Sequence, residues 1–305
     1  GAGNDTLVGG TGNDTFNVDS GTDIITLLGG DNSGAGGDSD VLVVSSGATV
    51  NATNINSFTA TTASSNAGTA NLSTKAAGGT INMAASNSGA YNINGGAGND
   101  ILTGGGGNDI FTVAAATEAD GDTINGGAGN DIINLSTGTH TLNNDARLSN
   151  VETIVANSSG STLVLTNQAE GFTLTGGAGT DNFTGGSGAD VITGGAGNDT
   201  FVGGTGNDTF NIDSGTDTIS DLGTGSDIFV VSSGATLNAT PITSFTATFA
   251  SRNDGTANLT AATGGGVINL SNVASGAGSY TITVGAGTDT VTGSSGNDVF
   301  VVAAT

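Results

Sequence analysis

Residues Gly176–Ser220 read GGAGTDNFT, GGSGADVIT, GGAGNDTFV, GGTGNDTFN and IDSGTDTIS, five nine-residue blocks in unbroken register. The sixth position of each block is an aspartate (Asp181, Asp190, Asp199, Asp208, Asp217), and the eighth is large and apolar (Phe183, Ile192, Phe201, Phe210, Ile219). A nine-residue period with one apolar position matches no helical face, and clustered Gly and Asp would melt a helix. Each block reads as a turn of roughly six residues followed by a very short strand.

The blocks fit the pattern G-G-x-G-x-D-x-U-x, and on these residues the chain resembles the RTX (repeats-in-toxin) calcium-binding β-roll family. The resemblance implies an all-β fold, a parallel β-roll or β-solenoid of nonapeptide repeats with calcium between coils, interspersed with metal-free β segments. Two blocks make one coil in that family, so Asp181 is expected over Asp199 and Asp217, and Asp190 over Asp208. The family's turn carbonyls complete the calcium shell, which implies a role for those of Gly176, Ala178, Gly195 and Gly197.

Electrostatics leads to the same cation. Stacked coils lie roughly 4.8 Å apart. At an effective dielectric of about 20, each pair of stacked carboxylates then repels by roughly 3 to 4 kcal/mol. That is comparable with the stability of a whole domain, so the stack needs cations between its carboxylates. The chain has no Cys and one His, leaving oxygen ligands and a hard metal. Ca²⁺ accepts six or more irregular oxygen ligands, whereas Mg²⁺ demands a tight octahedron. A single GND is equally well read as an Asx-turn; five in register are not.

Composition narrows the classes further. Gly is 56 of 305 residues, Pro is one and aromatics are 4%, too few for a thick globular core. The formal charge is -24, and Lys75, Arg147 and Arg252 are the only Lys and Arg. No basic patch is available, which argues against nucleic acid and against anionic membranes. Aspartate, the turn acid, far outnumbers Glu118, Glu152 and Glu170. No apolar run reaches the roughly 18 residues of a membrane helix.

Motif density divides the chain into calcium blocks at 1–40, 95–134, 176–229 and 284–305, metal-poor β segments at 41–94 and 230–283, and a linking β-solenoid segment at 135–175. Outside the central stack the expected metal ligands are Asp5, Asp14, Asp23, Asp40, Asp100, Asp109, Asp122, Asp131, Asp227, Asp289 and Asp298. The blocks break at VAAATEAD, from Val113. Residues 41–85 lack the motif and leave open whether they continue the solenoid or fold outwards. His140 falls where the next block would carry its aspartate and reads as a replaced ligand position; Arg147 and Glu152 read as an ion pair.

A longer repeat overlies the short one. GAGNDTFVGGTGNDTFNIDSGTD from Gly195 reproduces GAGNDTLVGGTGNDTFNVDSGTD from Gly1, an offset of 194. VVSSGATLNAT from Val230 reproduces VVSSGATVNAT from Val43, and GNDVFVVAA reproduces GNDIFTVAA at Gly107. Self-similarity at two scales is the mark of a quasi-one-dimensional array. Gly1 stands at the second glycine of a block, so the repeat is expected to continue before it.

No H-E-x-x-H or G-x-S-x-G motif occurs. The repeated carboxylates are expected in solvent-edge turns, unlike a general acid held in an enclosed pocket. These features predict a non-enzymatic, calcium-stabilised structural protein of a bacterial surface, an S-layer or filament subunit. It would be exported by type I secretion and self-assemble, with cell-surface polysaccharide as a candidate partner. The competing classes are a repetitive adhesin or ice-binding module and the calcium-folding tail of an enzyme or toxin. Ice binding requires an unbroken Thr/Asn rank, and the third block position, Ala178, Ser187, Ala196, Thr205, Ser214, is irregular.

Overall fold

The computed structural model describes residues 1–26, 28–29, 39–113, 121–274, 276 and 278–303. The segment from Ala114 to Asp120, where the motif breaks, lies outside them. The described residues form short strands and turns with no helix. They divide into two compact units, Gly1–Ser136 with Asn144–Ile154, and Thr137–Asn143 with Val155–Thr305. Each unit is a parallel β-solenoid.

The central stack lies in the second unit and follows the nine-residue period. Strands Asn182–Thr184, Thr200–Val202 and Thr216–Ile219 pair in parallel in one sheet. Strands Val191–Thr193, Thr209–Ile212 and Ile228–Val231 pair in a second. Successive blocks thus alternate between sheets, and two blocks complete a coil. A six-residue Gly/Asp turn leaves only three or four residues to extend, so the strands are short.

Each coil turns its eighth-position side chains inward. Phe183, Phe201 and Ile219 share one register rank, and Ile192, Phe210 and Phe229 another; all are buried. Phe183 and Phe201 ring centroids lie 6.3 Å apart, and so do those of Phe201 and Phe210, which come from different sheets. The core is a narrow column, consistent with the low aromatic content.

In the first unit, Thr22–Thr26, Thr49–Ile55, Thr69–Thr74 and Tyr91–Asn94 pair successively in parallel. Residues 41–85 therefore continue the solenoid. Their coils are longer, with inward Val50, Ala52, Leu72 and Phe58 and an additional short sheet that pairs Ser57–Thr59 with Thr80–Asn82. The second unit repeats this arrangement: Thr236–Ile242 pairs with Thr256–Ala261, and Ser244–Thr246 with Val267–Asn269.

Candidate metal centre

The motif aspartates form ladders that clamp one coil to the next. The backbone N–H of Asp181 donates to Asp199 Oδ1 at 2.8 Å, Asp199 to Asp217 at 3.0 Å, Asp190 to Asp208 at 2.9 Å and Asp208 to Asp227 at 3.0 Å. The first unit repeats the bond from Asp5 to Asp23, Asp14 to Asp40, Asp100 to Asp122 and Asp109 to Asp131, at 2.7–2.9 Å. Asp289 Oδ1 accepts from Gly266 N–H at 2.8 Å, while Asp298 is held within its own turn by Ser294 N–H at 2.9 Å. The expected stacking of aspartates is thus present, with an N–H donated between successive members.

The second carboxylate oxygen faces the block's first glycine. A Cβ added at Gly194 would come within 2.1 Å of Asp199 Oδ2, and one at Gly203 within 2.3 Å of Asp208 Oδ2. Only glycine fits there because the carboxylate occupies the side-chain position. Some Oδ2 atoms accept the next glycine's N–H, as Asp181 does from Gly177 at 3.1 Å and Asp109 from Gly105 at 2.6 Å. Those of Asp14, Asp131, Asp199, Asp208 and Asp217 are buried with no hydrogen-bond donor.

This corrects the expectation of solvent-edge carboxylates. Asp181, Asp190, Asp199, Asp208, Asp217 and Asp227 are each at most 1% exposed, because the neighbouring turns cover them; Asp5 lies exposed in the first coil, and Asp14, Asp289 and Asp298 are half-buried. Burial pushes the Asp208 and Asp217 carboxyls up to about 7 and that of Asp109 up to about 6. Neighbouring carboxylates add to the rise, Asp190, Asp227 and Asp221 at Asp208, and Asp199 and Asp213 at Asp217. Such groups call for a cation.

The turns carrying the expected carbonyl ligands also stack. Gly176 N–H donates to Thr193 O at 2.8 Å and Ala178 N–H to Ser158 O at 3.2 Å, while Gly195 O accepts the Ser214 hydroxyl at 3.3 Å. Gly197 O lies so close to Gly215 that a Cβ there would meet it at 1.6 Å. Among the described residues, no three acidic or imidazole side chains close into a formed metal shell. Pairs of carboxylates and backbone oxygens are what the coils offer.

Three contributors escape a motif reading. Fifth-position asparagines clamp the neighbouring coil: Asn198 Oδ1 accepts Thr216 N–H at 2.9 Å, Asn207 accepts Ser226 at 2.9 Å and Asn108 accepts Asn130 at 3.0 Å. Their recurrence in GND was the available signal. Glu152, expected to pair with Arg147, turns Oε2 to Asp131 N–H at 2.6 Å and so takes the role of a motif aspartate. Asp221, outside the motif, accepts the N–H groups of Gly203 at 3.0 Å and Gly204 at 2.7 Å.

His140 is not a replaced ligand. It is fully buried in strand Gly138–Thr141, in register with Leu163, which in turn pairs with Phe183. The imidazole therefore occupies the apolar eighth-position rank, and Gly138 stands two residues before it where the aspartate would be.

The residues present fit calcium: the donors are all oxygen, several buried Oδ2 atoms lack donors, and the carboxylates fill cradles kept open by glycine. The family model of the RTX calcium-binding nonapeptide repeat (4 copies) matches residues 1–33, 87–115, 117–139, 175–210 and 274–302. No curated protein and no solved structure matches the chain. The nine-residue motif, the two-block coil and the family match together show that the chain carries RTX calcium-binding nonapeptide repeats, folded as a parallel β-solenoid.

Proposed function

We propose that this chain is a secreted, calcium-stabilised structural protein of a bacterial cell surface, an S-layer or extracellular filament subunit, exported by type I secretion. The observation that carries the reading is the ladder of buried carboxylates, each accepting a backbone N–H from the neighbouring coil and repeated coil after coil. Calcium would be held by Asp5 with Asp23, Asp14 with Asp40, Asp100 with Asp122 and Asp109 with Asp131. In the second unit the holders would be the series Asp181, Asp199, Asp217 and Asp190, Asp208, Asp227, with Asp289 and Asp298 at the last coils. Turn carbonyls such as those of Gly176, Ala178, Gly195 and Gly197 would complete the shells. A low-calcium cytosol would leave such a chain unfolded for export, and external calcium would fold it.

Regular coils with outward Thr, Ser and Asn supply a flat polar face for lateral packing. Electron microscopy of chelator-stripped protein returned to millimolar Ca²⁺ tests this: filaments or sheets are expected, and dispersed monomers at saturating calcium would contradict it.

A second reading, a surface-binding module of the adhesin or ice-binding kind, is favoured by one observation. On the second unit, Thr139, Thr162, Asn182, Thr200, Thr218, Asn238, Asn258 and Thr281 form an unbroken outward rank in register. The rank runs along the strands rather than at the turn position where the sequence is irregular. Thermal hysteresis that a Thr218→Arg substitution abolishes would decide for ice binding.

A further inference from the structure

One junction of the second ladder departs from the others. In four turns the N–H of the glycine four residues before the aspartate donates to Oδ2 of that aspartate: Gly105 to Asp109, Gly177 to Asp181, Gly186 to Asp190 and Gly223 to Asp227, at 2.6–3.2 Å. At Gly204 the N–H donates instead to Asp221 Oδ2 at 2.7 Å, and the Gly203 N–H to Asp221 Oδ1 at 3.0 Å. Two consecutive N–H groups thus hold a carboxylate from outside the motif, the arrangement of a backbone anion nest.

Asp208 lies at the same turn. Its Oδ1 accepts Asp190 N–H at 2.9 Å, and its Oδ2 is buried without a donor, as is that of Asp14, its counterpart in the first copy; a Cβ added at Gly203, whose N–H Asp221 holds, would meet Asp208 Oδ2 at 2.3 Å. Asp227 closes the other side, its Oδ1 accepting Asp208 N–H at 3.0 Å. Asp221 and Asp208 thus meet at Gly203 and Asp227 is bonded to Asp208, so three carboxylates crowd one junction. A further negative charge beside an anionic site strengthens its attraction for a cation.

We propose that Asp221 is an affinity-determining residue that makes the Asp208–Asp227 junction a high-affinity calcium site without itself entering the shell. The inference rests on the calcium reading above. The longer repeat supplies the contrast: at the matching position, offset by 194, the first copy has Leu27, which lies outside the described residues. The second copy therefore carries at this junction a charge that its counterpart in the first copy lacks, and that charge acts on a bound cation through space. Calcium would enter this junction early in a titration, giving the second unit a defined point from which coils order.

The test is calorimetric titration of the 305-residue chain with Ca²⁺ against a competing chelator, with circular dichroism at saturation. Asp221→Asn, which keeps an acceptor but removes the charge, and Asp221→Leu, which installs the first copy's residue, should each weaken the tightest step on the order of tenfold. Saturated strand signal should be unchanged, and Asp145→Asn, the same charge change on an exposed residue outside the ladders, should leave the isotherm alone. Variant isotherms that superpose on the parent's would overturn the role of Asp221 while leaving calcium binding intact. A uniform weakening of every step with loss of strand signal would contradict a local role. A parent chain that takes up no calcium would remove both this inference and the reading beneath it.

Discussion

The buried aspartates set the chemistry residue by residue. An unfolded Asp titrates near about 3.9, whereas Asp109 is pushed up to about 6 and Asp208 and Asp217 to about 7, chiefly by burial. Without metal the folded state keeps protons that the unfolded state releases between these values. Stability from these groups is fully present below about pH 4 and is lost as pH rises through 6 to 7. In chelator, strand signal should therefore increase on acidification from pH 8 to pH 4.5; a decrease would contradict the assignment. With calcium the sense reverses, since protons compete for the same oxygens and the apparent affinity should fall below pH 7. The glycines opposite these carboxylates are equally constrained. Gly194→Ala places a methyl 2.1 Å from Asp199 Oδ2 and should cost about 1–3 kcal/mol or more in a calcium-saturated thermal melt. Phe201→Ala, which empties part of the apolar column, should cost about 3–5 kcal/mol in the same assay.

Strands and coils depend on parity. Because consecutive blocks alternate between two sheets, removing eighteen residues deletes one coil and preserves every later register. Removing nine moves each later block to the other sheet and sets the long strand Thr236–Ile242 against the wrong neighbour. Deletion of Gly185–Val202 should therefore fold in calcium with a modest loss of melting temperature, and deletion of Gly194–Val202 should lose far more; equal losses would contradict the two-block coil. Much of this was legible in the sequence, since the nine-residue period carries both the turn and the buried position. The continuation through residues 41–85 was not, because coil length there is irregular. The outward ladder Asn51, Asn71, Asn92 is bonded side chain to side chain at 2.8 and 2.7 Å, but its members are 20 and 21 residues apart, so no single period reveals it. His140 was misplaced for the same reason: its strand pairs with the next across 23 residues rather than 18, and counting in nines slips by two.

At the scale of the whole chain, we propose that the free energy of folding is coupled to the metal. Narrow apolar columns with few aromatics supply limited burial, while the ladders gather charges that a bare solenoid has no means to neutralise. A chain with 27 acidic residues and three Lys and Arg offers no internal counter-charge on that scale. Calcium is thus assigned the role of a structural element, and Mg²⁺, held to a smaller octahedron, should replace it poorly. The most direct measurement is far-ultraviolet circular dichroism of the chelator-stripped chain at neutral pH, titrated with Ca²⁺ and in parallel with Mg²⁺. Cooperative gain of strand signal with Ca²⁺, little with Mg²⁺ and none in chelator is the predicted result; a full strand spectrum in chelator at neutral pH, unchanged by added Ca²⁺, would contradict it.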